Sequence, residues 1–228
     1  MKIATWNIDR LKDKKKLIPI SDQILEINAD ILILTEANKL IDLSIYKFQT
    51  ETQILPIEPF NYKSEERRVT IFSKYPILRT FATYDDLTSC CAEIQTDFGN
   101  IMIYGTIVGI TGKNDKNFNL DLDNQISDIN RLSPLGNFCF AGDLNISFSD
   151  SYYFTKNGRT KFNICFTANK LQNLTESISE NVDHIVVSKN FIKDLYIQLS
   201  EWNLDKSLSD HKGVCVEMLE NETAYNRR

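Results

Sequence analysis

The chain is poor in the residues that build soft-metal and redox centres. Histidine occurs twice in 228 residues, as His184 and His211, and each directly follows an aspartate. Five cysteines (Cys90, Cys91, Cys139, Cys165, Cys215) show no paired metal-ligand spacing, and most lie in apolar segments where a free thiol behaves as a small hydrophobe. Zinc-type ligation is therefore not expected. With only 8 glycines and 5 prolines, all scattered, and no low-complexity tract or fixed-period repeat, nothing reads as a linker or solenoid. The expected organisation is one domain over residues 1–220 and a polar tail over 221–228. No run of ~18 apolar residues is present to span a bilayer, and "MKIATWNIDR" has no apolar stretch of signal-peptide length. The expectation is a cytoplasmic monomer without a membrane span, in which the sequons at Asn145, Asn173 and Asn221 are chance matches. Excess positive charge is also missing. A net charge of -5 argues against a globally basic, passive nucleic-acid binder. It leaves room for an enzyme acting on phosphate esters, where divalent cations supply positive charge locally.

What is present is a repeated alternation of short apolar runs and amphipathic stretches. "KIATWNI" and "ADILILTEA" read as strands, and "KKKLIPISDQILEINA" between them spaces Leu17, Ile20, Ile24, Leu25 and Ile27 at helical intervals. Further strands are expected at "RVTIFSK", "ILRTFATY", "SCCAEIQTD" and "NIMIYGTIVG", the last two joined by a hairpin turn at "DFGN". A helix is expected near Leu120–Leu132, then the strand "NFCFAGD", a helix within "RTKFNICFTANKLQ", and strands "VDHIVVS", "YIQLSEW" and "GVCVEML". Strands outnumber helices and both occur in each half. An α/β sandwich of two sheets with helices packed outside accommodates this inventory better than a doubly wound single sheet.

Polar residues that a core would reject fall at the ends of these runs: Asn7, Glu36, Asp143 with Asn145, Asp183 with His184, and Asp210 with His211. Any one of them has a bland explanation as a cap or turn residue. Five such sites, each at the rim of a separate run, point instead to a shared chemistry. The set suits metal-assisted attack of water on phosphorus: Glu36, helped by Asp210, Asn7 or Asp143, offers oxygen ligands to Mg²⁺ or Mn²⁺. Asp143 is a candidate base for the water, and Asn145, two residues on and on the same face, a hydrogen-bonding partner for it or for the substrate. On an extended strand Asp210 and His211 would point to opposite faces, so the partner of His211 must come from elsewhere, and Asp183 is the candidate. His184, inside "HIVVS", reads as a satisfied, half-buried histidine.

The ordered segments "TWNI", "LTEA", "VTIFSKYPI", "YGT", "AGDLN", "VDHIVVS" and "SDHKGV" resemble the endonuclease/exonuclease/phosphatase superfamily, nearest in pattern to its exonuclease III and abasic-site endonuclease branch. The resemblance implies a four-layer α/β sandwich of the DNase I type, with the site between the edges of two sheets. It implies Glu36 as principal metal ligand, Asn7 beside it, and Asp210 contributing directly or through water. Asp143 would orient or deprotonate the water, Asn145 hold it or a phosphate oxygen, His211 hydrogen-bond the phosphoryl group, and Asp183 orient His211. Tyr104 would contact phosphate, or else be a strand aromatic half in the core. Arg67 and Arg68, where the branch often has glycine, would reach a phosphate or be plain surface charge.

Two features bear on the substrate. "DRLKDKKK" puts Arg10, Lys12 and Lys14 to Lys16 near the rim, as a phosphate-tracking patch or a solvated helix start. "SYYFTKNGR" supplies Tyr152, Tyr153, Phe154, Lys156 and Arg159 after Asn145, either to stack unpaired bases or to anchor the loop. Nucleic acid is the expected substrate, with a small-molecule or lipid head-group phosphate ester as the alternative.

Overall fold

The computed structural model describes residues 1–55, 61–109, 116–153 and 155–220. The tail 221–228 with its sequon at Asn221, and Phe154 of the aromatic loop, lie outside the described residues. Among the described residues, twelve strands form two six-stranded mixed sheets. The first has the order β11-β12-β1-β2-β4-β3, from β1 (Lys2–Asn7), β2 (Ile31–Asn38), β3 (Phe48–Glu51), β4 (Glu66–Ser73), β11 (Leu195–Trp202) and β12 (Gly213–Glu220). The second has the order β5-β6-β7-β8-β10-β9, from β5 (Ile77–Phe81), β6 (Ser89–Thr96), β7 (Gly99–Ile107), β8 (Phe138–Asp143), β9 (Leu171–Asn173) and β10 (Asp183–Ser188). The short strands β3 and β9 have no clear alternation and escape a reading by pattern.

Each sheet carries one parallel pair in its middle, β1/β2 and β7/β8, and every other pairing is antiparallel. A parallel pair needs a long crossover. Helix α1 (Leu17–Ile27) lies in the crossover of the first pair and helix α2 (Lys116–Leu132) in that of the second. Helix α3 (Lys156–Ala168) follows β8, starting at a Thr155 side-chain cap on the Gly158 N–H, and the single-turn α4 (Lys189–Ile192) follows β10.

Three apolar clusters define four layers. Between the sheets, Ile3, Ile31, Ile33, Val69 and Ile71 meet Ile103, Cys139, Ala141, Ile185 and Val187. Outside the first sheet, Trp6, Leu32 and Leu34 pack on Ile20 and Ile24 of α1. Outside the second, Tyr104, Phe138 and Phe140 pack on Phe118 and Leu122 of α2 and Phe162 of α3. Strand alternation therefore serves two cores at once, one on each face. All five cysteines are buried free thiols. Among the described residues no helix is long and apolar enough to cross a membrane.

Candidate active site

The two parallel pairs are what build the site. Their strand ends, where chains leave the sheet and side chains are released from the core, lie at one rim of the sandwich. Asn7 ends β1, Glu36 lies near the end of the adjacent β2, and Asp143 ends β8. The sheets meet there: the buried Asn7 amide donates from Nδ2 to Asp143 Oδ2 at 3.1 Å, across 136 residues of sequence. Its Oδ1 accepts the Asp9 N–H at 2.9 Å, so both ends of the amide are assigned.

Asp143 is held from its own loop as well. The Asn145 backbone N–H donates to Oδ1 at 2.9 Å, and Asn145 Nδ2 reaches the Val108 carbonyl at 2.8 Å and Asp143 Oδ2 at 3.4 Å. Asn145 sits at φ 51, left-handed backbone that asparagine tolerates better than most residues. Gly142 makes the approach possible: at φ +137, a Cβ there would lie 2.0 Å from the Thr106 carbonyl oxygen of β7.

The imidazole of His211 closes the cluster. Its Nδ1 lies 2.7 Å from Asp183 Oδ2, and its Nε2 lies 3.9 Å from both Asp143 Oδ2 and Asp210 Oδ1. Burial disfavours the imidazolium, but the Asp183 carboxylate in direct contact and Asp143 behind it outweigh burial, and His211 is held well above the ordinary histidine range. Nδ1–H then donates to Asp183, and Nε2–H faces the groove. Asp143 is pushed up by burial, opposed by His211 and reinforced by Asp183. Asp210 and His211 do not diverge as strand neighbours would, because β12 begins only at Gly213 and residues 209–211 form a bend. That bend is sewn in place. Ser209 Oγ donates to the Asn7 carbonyl at 2.6 Å, and the His211 carbonyl accepts from Trp6 Nε1 at 3.1 Å and Asn203 Nδ2 at 2.6 Å. Trp6 and Ser209 lie inside the motifs "TWNI" and "SDHKGV" and Asn203 outside them, and none carries a sequence signal for this role.

Glu36 is half-buried and stands at φ 46. Leu34 and Ala37 belong to the same outer cluster although they are three residues apart, so strand alternation slips at Glu36 and its side chain leaves the face that parity would assign. A left-handed residue of this kind costs about 1–2 kcal/mol, which marks the position as one held for a purpose. Burial is the main influence raising its carboxyl pKa, with Arg10 opposing. Tyr62 donates its hydroxyl to Glu36 Oε1 at 3.3 Å.

The structure does not bring Tyr104 or Arg67 to this cluster. Tyr104 is wholly buried on the opposite face of β7, against the helices, with its hydroxyl 2.9 Å from Asp128 Oδ2 and 3.1 Å from Ser89 Oγ. Odd residues of β7 face the inter-sheet core, and an even residue cannot reach the rim between the sheets. Arg67 is buried too, bonded to Glu51 Oε1 at 3.0 Å and to the carbonyls of Ser64 and Glu66 at 2.8 and 2.7 Å. Neither it nor Arg68 is surface charge. Arg68 is 5% exposed, with its guanidinium 5.7 Å from the Tyr62 ring centre on the Glu36 side. Lys12 is exposed, paired with Asp9, and close enough to act on Glu36. Tyr153 lines a groove of about 260 Å³ together with Asn145, Tyr152, Asp183, Lys206, Asp210 and His211. Arg159 is a loop staple, bonded to the carbonyls of Ser147 and Asp150.

His184 is fully buried and satisfied: Nε2 donates to the Ile146 carbonyl at 2.9 Å and Nδ1 accepts from Thr175 Oγ1 at 3.0 Å. Burial holds its pKa down, to about 4.

Glu36, Asp210 and Asn7 carry oxygen donors of the kind a hard divalent cation takes, and among the described residues Asp183 Oδ1 is buried with no hydrogen-bond partner. Ligand atoms of Asp143, Asp183 and His211 also lie within 4.8 Å of one another. There the His211 imidazole is engaged with Asp183 through Nδ1.

The folded chain is similar to several solved structures. An AP endonuclease from Archaeoglobus fulgidus matches with a TM-score of 0.71 at 14% identity, over 96% of this chain and 99% of that one. An endonuclease/exonuclease/phosphatase from Beutenbergia cavernae DSM 12333 matches at 0.70 and 14% identity, over 97% of this chain and 72% of that one. A humanized D. rerio TDP2 matches at 0.69 and 13% identity, over 96% and 98%. At such identities the likeness is one of fold, the DNase I-like sandwich. No curated protein sequence matches the chain. The model of the Endonuclease/Exonuclease/phosphatase family matches residues 4–211, from the first strand through His211, and the chain belongs to that family of phosphoric ester hydrolases.

Proposed function

We propose that this protein is a Mg²⁺- or Mn²⁺-dependent phosphodiesterase that cleaves nucleic acid by attack of water on phosphorus. The observation that carries the nucleic-acid reading is the groove beside His211, lined by Tyr152, Tyr153, Lys206 and Lys212, in which the Lys206 ammonium lies 4.0 Å over the Tyr152 ring and Lys212 pairs with Glu201 at 3.1 Å. Aromatic faces with interleaved cations suit splayed bases on a phosphodiester backbone. The exposed Lys12, Lys14 and Lys15 extend positive charge on the Glu36 side.

Glu36, with Asn7 and Asp210, would hold the metal, whose positive charge, when bound, stabilises charge on phosphoryl oxygens. Asp143 takes the proton of the attacking water; Asn7 and Asn145 fix its carboxylate from two sides, so its reactive lone pair has one direction. His211 donates from Nε2 to a phosphoryl oxygen as negative charge develops there, and Asp183 keeps the ring in the orientation that makes this possible.

The test is a panel of plasmid DNA, single-stranded DNA, RNA, abasic-site duplex and inositol phosphates, with Mg²⁺ or Mn²⁺ and with chelator. Cleavage of at least one polymer, lost with chelator, is expected. Phosphate release from small esters without a cut in any polymer overturns the nucleic-acid reading.

A further inference from the structure

Glu36 raises a question that its motif leaves open. A carboxylate on a left-handed residue at a strand end has several ways to point, yet a metal ligand needs one. Register on either side, Thr35 with Val69 and Ala37 with Arg67, places Glu36 opposite Arg68 on β4. Between them stands Tyr62, which arrives from the segment before β4. Its ring is 6% exposed and lies near two guanidiniums, Arg10 at 4.8 Å and Arg68 at 5.7 Å from its centre. Arg10 is itself constrained: it is the middle of three consecutive left-handed residues, Asp9 to Leu11, and its Nη1 reaches the Asn61 carbonyl at 3.4 Å and Glu66 at 3.8 Å. Two strands and a tight turn therefore fix one phenol ring, and cations on its faces strengthen that grip. Its hydroxyl donates to Glu36 Oε1 and is hydrogen-bonded by Arg68 as well.

We infer that Tyr62 is a positioning residue for Glu36, a clamped phenol that holds one carboxylate oxygen and leaves the other for the divalent cation. The inference rests on Glu36 being a metal ligand, as proposed above. Tyr62 belongs to none of the recognisable motifs, and tertiary structure alone brings it to the site. Hydrogen bonds from neighbours to ligating carboxylates set the orientation and basicity of the ligand. Arg10 and Arg68 act one step further out: they carry the ring and the ring carries the carboxylate.

Tyr62→Phe in the full chain keeps the ring and its cation contacts and deletes only the hydroxyl. Mn²⁺ affinity of the protein without substrate, read by titration calorimetry, should fall about tenfold, beyond the modest drop in melting temperature of the metal-free protein that loss of the hydroxyl's own hydrogen bonds brings. Turnover should drop at limiting Mn²⁺ and recover at saturating Mn²⁺. Unchanged Mn²⁺ affinity in Tyr62→Phe overturns the inference, and so does a lowered melting temperature with affinity unchanged, which would make Tyr62 a loop anchor only. Glu36→Gln separates the two levels. If it abolishes Mn²⁺ binding while Tyr62→Phe leaves it intact, Tyr62 alone loses its role; if Glu36→Gln binds Mn²⁺ normally, the ligand reading falls and Tyr62 with it.

Discussion

Asp143 and Asp183 are direct cross-strand partners on β8 and β10, two buried carboxyl groups set opposite each other. Like charges in that position repel. The arrangement persists because His211 from a different sheet lies against both, at 2.7 Å from Asp183 and 3.9 Å from Asp143. A pairing that costs stability is retained where it holds an imidazolium facing the groove.

The two aspartates should differ in kinetic effect. Asp143→Asn removes the proposed base and should lower kcat at least about 10³-fold. Asp183→Asn disturbs only the orientation and charge of His211 and should lower it about 10–100-fold. Steady-state rates at saturating Mg²⁺ decide this, and equal losses would mean the roles are misassigned.

Tyr104→Phe should leave kcat and KM unchanged and lower stability by about 1–2 kcal/mol, because it leaves buried Asp128 short of a donor. Urea melts and rates on the same preparation are the measurement. A catalytic loss without a stability loss would place Tyr104 at the chemistry after all.

His184 should make the protein acid-sensitive. Its pKa is held down, from an ordinary 6.5 to about 4, so below pH 6.5 the unfolded chain takes up a proton that the folded chain refuses. Stability from this residue is complete above pH 6.5, falls as pH drops through that window, and stops falling below about 4. Between pH 7 and pH 5 the loss is about 2 kcal/mol. Denaturant midpoints of wild type and His184→Gln across this range test it: the variant starts lower and should have the flatter slope.

Gly142→Ala should be among the most damaging single-methyl changes in the chain. The added Cβ would meet the Thr106 carbonyl oxygen at 2.0 Å, and φ +137 is itself adverse to an L residue. A loss above about 3 kcal/mol is expected. Gly99→Ala is the control: φ is +102 but nothing lies within 4 Å of the added Cβ, so only the backbone cost of about 1 kcal/mol applies. Similar thermal shifts in the two variants would contradict the role given to the β7/β8 approach.

Much of this molecule can be read along the chain. Alternation in "KIATWNI", the apolar run "CFAGD" and the helical spacing of Ile20 and Ile24 mark β1, β8 and α1, since burial on one face or both demands those patterns. The polar residues stand out at the strand ends for the same reason: a core would have rejected them. Where reading by pattern goes astray, parity is the cause. Alternation says that Tyr104 shares a face with Met102, but not whether that face meets the other sheet or the helices, and it is the helices. For Arg67 and Arg68, charge suggested surface, but Glu51 and Tyr62 give them buried partners.

The sequence by itself determined most of the elements, the family and which polar side chains stand at strand ends, because these depend on local periodicity and short motifs. Tertiary structure decided who meets whom. Asn7 with Asp143 across 136 residues, His211 with Asp183 across 28, and Tyr62 with Glu36 across 26 are contacts between elements. They exist only once two sheets pack face to face and bring the carboxyl ends of both parallel pairs to one rim, since the direction of a side chain follows from the packing of its sheet.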